Sequence, residues 1–98
     1  MQPQYDEQRS DRALFAISVA ADLVGTGVQN LRAYERRGLV EPQRTPGGTR
    51  LYSSEDIGRL RRITELLALG HNLTGVGTVL DLEAENARLH AEIERLRD

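Results

Sequence analysis

Between Val28 and Arg36 the chain sets amide and guanidinium groups at helical spacing. The apolar residues Val28, Leu31 and Tyr34 fall at i, i+3 and i+6, so Gln29, Arg32, Ala33 and Arg36 project from the opposite side. Such a surface suits duplex DNA, because an amide pairs bidentately with adenine and a guanidinium with guanine or with phosphate. An ordinary amphipathic helix with a solvated basic face has the same pattern, and the flanking elements decide between the two.

Upstream, Val24-Gly25-Thr26-Gly27 is the short glycine turn that lets the second helix of a helix-turn-helix cross the first, with Gly27 as N-cap. Leu14-Phe15-Ala16-Ile17-Ser18 starts the fold. Phe15 and Ile17 are expected in the core, and Ser18 is the expected N-cap of a first helix that runs to Val24 and buries Val19 or Ala20, Leu23 and Val24. Downstream, Gly38 occupies the C′ site of the second helix and Pro42 blocks its continuation.

Gln43 to Tyr52, centred on Pro46-Gly47, predicts a type II turn in a two-stranded hairpin. Directly after a helix-turn-helix, a hairpin carrying Arg44 and Arg50 reads as a DNA-contacting wing; taken alone it is equally an exposed hairpin with incidental arginines. Ser53 and Asp56 have capping-box spacing and open a helix to Leu69, with Ile57, Leu60, Ile63 and Leu67 inward and Arg59, Arg61 and Arg62 outward. Gly70 ends it. Thr74 is the expected N-cap of a further helix, weakened at Gly75 and Gly77 by about 1 kcal/mol each relative to Ala.

From Val79 the pattern becomes heptads, with Val79, Asn86 and Ile93 at a and Leu82, Leu89 and Leu96 at d. Glu85, Arg88, Glu92 and Arg95 flank this seam, where interchain pairs are expected. The run is too short for a stable coiled coil alone, so the winged domain must help hold a dimer. A helix folding back on its own domain is the competing reading.

Composition narrows the function classes. The chain has 98 residues, a net charge of −2 and no cysteine, which removes disulfides, thiolate metal sites and cysteine nucleophiles. His71 and His90 are isolated, no carboxylate pair accompanies a nucleophile, and Gly75-Val76-Gly77 lacks the rest of a phosphate loop; neither catalysis nor a metal or cofactor is expected. Without a signal-like or membrane-length apolar run, the chain is expected in the cytoplasm. Charge is segregated: eight arginines against four acids between Val28 and Arg62, then six acids against three arginines from Asp81 to Asp98.

These segments together resemble the MerR family of bacterial transcription regulators over Ile17 to Leu80, through ISVAADLVG, LRAYERRGL, RTPGGTRLYSSEDIGRL and LALGHNLTGVGTVLDLE. ISVAA, the LRxY pattern and NLTGVxxVLDLE are most similar to the heat-shock repressor branch. The resemblance implies a mainly helical fold with a small β-hairpin wing, a winged helix-turn-helix over residues 13–80, and a dimerising helix over 81–98 that pairs in an antiparallel coiled coil. It also implies double-stranded DNA as partner, with Gln29 and Asn30 as base readers and Arg32, Tyr34, Arg36, Arg44, Thr45, Arg50 and Tyr52 as phosphate or groove contacts. Two-fold symmetry then predicts a palindromic operator, and the resemblance implies DNA bent or underwound between its half-sites.

Gly27 stands where the family has a Ser-like cap, Ala33 where many members have a second Tyr, and Gly77 and Thr78 at positions that are often basic, which puts those contacts in doubt. No effector domain is expected, so regulation would come from abundance, cooperative binding or a protein partner, for which a chaperone co-repressor is the natural candidate. An architectural, excisionase-like protein that assembles on direct repeats is the alternative, and a protein-interaction module built on the acidic helix is a third reading. Residues 1–12 are expected to form a disordered arm.

Overall fold

The computed structural model describes residues 13–97; the arm expected over residues 1–12 lies outside them. The elements in order are β1 (Leu14–Ala16), α1 (Ile17–Val24), α2 (Val28–Arg36), β2 (Gln43–Arg44), β3 (Arg50–Ser53), α3 (Ser54–Ala68) and α4 (Leu73–Arg97). They form two compact units, one through Glu65 and one from Leu66 onward. No helix among the described residues is long and apolar enough to cross a membrane.

The first unit is a winged helix-turn-helix, but its sheet has three antiparallel strands in the order β1-β3-β2 rather than the two expected. Phe15 pairs with Tyr52 and Arg44 with Arg50. Because β1 runs directly into α1, the N-cap is Ala16, without a side-chain cap bond, and not Ser18. The buried face of α1 matches expectation at Ala20, one of the two residues weighed there, and departs from it at Leu23. Ala20 and Ala21 are buried, whereas Val19 and Leu23 are 45% and 43% exposed; Phe15 and Ile17 are half-buried. Small side chains let two short helices approach closely, and a reading weighted by hydrophobicity favours the larger residues instead.

Two glycines end the helices of the motif as the sequence reading anticipates. Gly25 (φ 83°) closes α1, with the Thr26 N–H bonded to the Ala21 carbonyl at 3.0 Å. Gly38 (φ 76°) closes α2, with the Leu39 N–H bonded to the Tyr34 carbonyl at 2.9 Å. Both are Schellman closures in which the glycine itself takes the left-handed conformation. The second turns Leu39 and Val40 back into the core.

The wing turn is hydrogen-bonded from the Gly48 N–H to the Thr45 carbonyl at 2.8 Å. Gly47 does not have positive φ and Gly48 does (89°), so the turn is not type II as expected. A left-handed residue one place later matches the twist of paired strands better. The capping box is present: the Ser53 N–H donates to Asp56 Oδ2 at 2.9 Å and the Asp56 N–H to Ser53 Oγ at 3.0 Å. Along α3 the buried positions are Ile57, Leu60, Ile63 and Leu66, not Leu67.

In the second unit Asn72, not Thr74, caps α4, accepting the Gly75 N–H at Oδ1 (2.8 Å). The helix then runs unbroken for 25 residues through Gly75 and Gly77. The expected division at 80/81 therefore falls within one helix. Val76 and Leu80 are buried.

Candidate nucleic-acid interface

Gln29, Asn30, Arg32 and Arg36 are exposed along α2, while Leu31 and Tyr34 of the same helix are 0% and 5% exposed. The inward set is what the spacing dictates; it leaves the amides and two guanidinium groups on a continuous outer face. Among the described residues neither Arg32 nor Arg36 is in an ion pair.

The wing arginines are placed differently. Glu35, the only acid between Val28 and Leu39, takes Arg50 Nε on Oε1 at 2.5 Å and Arg44 Nη2 on Oε2 at 2.7 Å. Arg44 Nη1 also donates to the Gly48 carbonyl at 3.1 Å. One carboxylate on α2 thus orients both wing arginines, and their remaining N–H groups are left for other acceptors. A lone acid inside a basic run, ahead of a hairpin with two arginines, was the signal in the sequence; periodicity did not single it out.

The hydrogen bond from Arg50, reinforced by Arg44, holds the Glu35 carboxyl below its ordinary range. A carboxyl depressed in the fold contributes stability above its unfolded pKa and loses that contribution as pH falls through the folded value. The wing is accordingly expected to stay ordered at pH 5 and to loosen at lower pH. Glu35→Gln should show the loosened wing already at neutral pH. The Arg50 Nε–H resonance, followed by NMR through a pH titration, checks this; a resonance identical in both proteins at pH 7 would count against the clamp.

Two tyrosines expected at the DNA surface lie inside. Tyr52 is 0% exposed and its hydroxyl is enclosed with no hydrogen-bond partner among the described residues. It sits on β3, the middle strand, opposite Phe15, where a ring faces the core and the strand has no free edge. Tyr34 is almost as buried, and a hydrogen bond links its hydroxyl to Thr26. Burial raises both phenol pKa values.

Since the Tyr52 hydroxyl has no partner to lose, Tyr52→Phe is expected to leave DNA affinity unchanged and stability unchanged or higher by up to about 1 kcal/mol. The raised pKa of Tyr52 means that its stability is present below the ordinary tyrosine pKa and lost as pH rises above it. The Phe variant should be the less alkali-sensitive protein in thermal melts.

Thr45 is half-buried and its hydroxyl accepts the Thr49 N–H at 3.1 Å, so it holds the wing turn. Arginines expected to point outward from α3 are also engaged. Arg59 Nε donates to the Leu39 carbonyl, Arg61 Nη2 to the Leu23 carbonyl at 3.4 Å, and Arg62 pairs with Glu65 at 2.7 Å. Part of the basic charge of this segment therefore braces the fold.

On α4 the heptad positions Leu82, Leu89, Ile93 and Leu96 are 63%, 45%, 49% and 71% exposed; Asn86 is exposed and Val79 half-buried. Within the helix Glu85 pairs with Arg88 at 2.6 Å and Glu92 with Arg95 at 2.5 Å. Among the described residues no group of three His, Cys, Asp or Glu side chains could hold a metal ion.

Comparison with known proteins agrees with this geometry. Residues 15–83 match the MerR HTH family of regulatory proteins. A protein carrying the name heat shock protein HspR in Streptomyces coelicolor is 43% identical over 91 residues, which is 92% of this chain and 60% of that one. This chain thus spans about three fifths of that relative's length. A MerR-family transcriptional regulator from Bacillus cereus superposes with a TM-score of 0.66 at 27% identity, covering 86% of this chain and 72% of that one. HiNmlR, a MerR-family regulator lacking the sensor domain and solved bound to promoter DNA, superposes at 0.62 over 88% of this chain and 80% of its own; at 20% identity the likeness is one of fold. With the helix-turn-helix, the wing and the long following helix all in place, the chain belongs to the MerR family of DNA-binding transcriptional regulators.

Proposed function

We propose that the chain is a homodimeric repressor of heat-shock or chaperone genes, acting in the bacterial cytoplasm on a palindromic operator. Each subunit would set α2 in the major groove and its wing on the neighbouring backbone. The observation that carries this reading is the outer face of α2, where Gln29, Asn30, Arg32 and Arg36 stand exposed beside a wing oriented by Glu35. The apolar heptad positions left exposed on α4 support the dimer. Similarity to HspR supports the heat-shock target, and a chaperone is the proposed co-repressor.

Affinity selection on genomic DNA with the purified protein tests the proposal. An inverted repeat upstream of chaperone genes is the expected motif, and its affinity should rise when the chaperone is added. Direct repeats with extended protection would favour an architectural protein instead. Arg32→Ala with Arg36→Ala should weaken binding to all sequences and reduce the slope of log affinity against log salt by about 2; an unchanged slope would remove both from the phosphate contacts.

A further inference from the structure

Thr26, in the turn between α1 and α2, is tethered on three sides. Its N–H bonds to the Ala21 carbonyl at 3.0 Å as part of the closure of α1. A hydrogen bond links its hydroxyl to that of the buried Tyr34, and its Oγ1 accepts Asn30 Nδ2 at 2.7 Å. An asparagine amide carries its donors and its acceptor on opposite arms of a rigid plane. With Nδ2 turned into the Thr26 hydroxyl, Oδ1 is the arm directed away from the turn. Asn30 is exposed in the first turn of α2, the part of a recognition helix that meets base edges.

We propose that Thr26 is a specificity-determining positioning residue, which holds the Asn30 amide so that an acceptor and not a donor faces the major groove. In that groove adenine and cytosine present an exocyclic amino group, whereas guanine and thymine present O6 and O4 acceptors. Asn30 in this orientation selects adenine or cytosine at one position of each half-site and rejects the other two bases. An untethered amide has no such preference, because it can turn either arm to the base. The inference rests on α2 reading DNA, as proposed above.

The test is affinity selection with the intact protein and four single variants, Thr26→Val, Thr26→Ser, Asn30→Ala and Asn30→Asp. Wild type should give a motif with one adenine-or-cytosine column per half-site, and Asn30→Ala should flatten that column by about tenfold. Thr26→Val, nearly isosteric but without the acceptor, should flatten the same column by a similar factor. Thr26→Ser should restore it, and Asn30→Asp, which has only acceptors, should keep the preference.

Preference between bases is a ratio read within one protein, so a lower folded fraction in Thr26→Val does not alter it. A purely structural role for Thr26 would weaken binding to all sequences alike. A sharp, unchanged column in Thr26→Val would overturn the inference while the DNA reading stood. An Asn30-dependent column of guanine or thymine would also overturn it. A wild-type protein that selects no motif would overturn the DNA reading itself, and this inference with it.

Discussion

Replacing Leu89 and Ile93 together by glutamate is expected to leave a folded monomer whose affinity for a palindromic operator falls by about 100-fold or more. Both side chains lie half exposed on α4, 45% and 49%, so neither is needed for the core of a single chain. Glutamate is a good helix former, and the buried positions of this helix, Val76 and Leu80, are untouched. In a paired seam both copies would carry glutamate at these two positions, burying like charges in an apolar seam on a segment that already has six acids against three arginines. On the homodimer proposed above, its loss would leave each half-site bound separately, and the gain from simultaneous engagement would disappear. Sedimentation should show the monomer, and mobility shifts at fixed salt should show the affinity loss. A variant that still sediments as a dimer would place the seam elsewhere.

Leu31→Ala is the substitution with the largest expected effect on folding. Leu31 is 0% exposed in the middle of α2, and truncating a fully enclosed leucine removes its transfer free energy and leaves a cavity, a loss of about 3 kcal/mol. Small domains have only about 5–15 kcal/mol in hand, so the midpoint of thermal unfolding should fall by about 15 °C. The functional consequence follows from location. Leu31 precedes Arg32 and holds the inner side of the helix whose outer side carries Gln29, Asn30 and Arg36, so the variant should lose DNA binding in parallel with its folded fraction and recover it on cooling. A loss of affinity in fully folded protein would instead mean that the helix had moved without unfolding. Urea titrations with and without DNA separate the two outcomes.

What the sequence alone determined is local. Gly25 and Gly38 end α1 and α2, the Ser53 and Asp56 pair opens α3, and the three-residue spacing of Val28, Leu31 and Tyr34 separates the inner from the outer face of α2. Each of these depends on groups within about five residues, so the pattern in the chain and the hydrogen bond in the fold are the same fact.

Tertiary structure decided the rest. β1 exists because Leu14 to Ala16 found β3, a partner no local period announces. Between Val19 and Ala20 it is Ala20 that is buried, and Ala21 is buried where Leu23 is not, because helix approach favours small residues there, although the larger ones are more hydrophobic. Tyr52 is in the core because the pleat of β3 turns its side chain to the packed face of the sheet, a face that exists only once the elements have packed together. Glu35 became the clamp of both wing arginines because the wing folds back beside α2, bringing residues 9 and 15 positions apart into contact. Periodicity reports which way a side chain points along its own element; which charge or ring it meets there is set by the packing of elements distant in sequence.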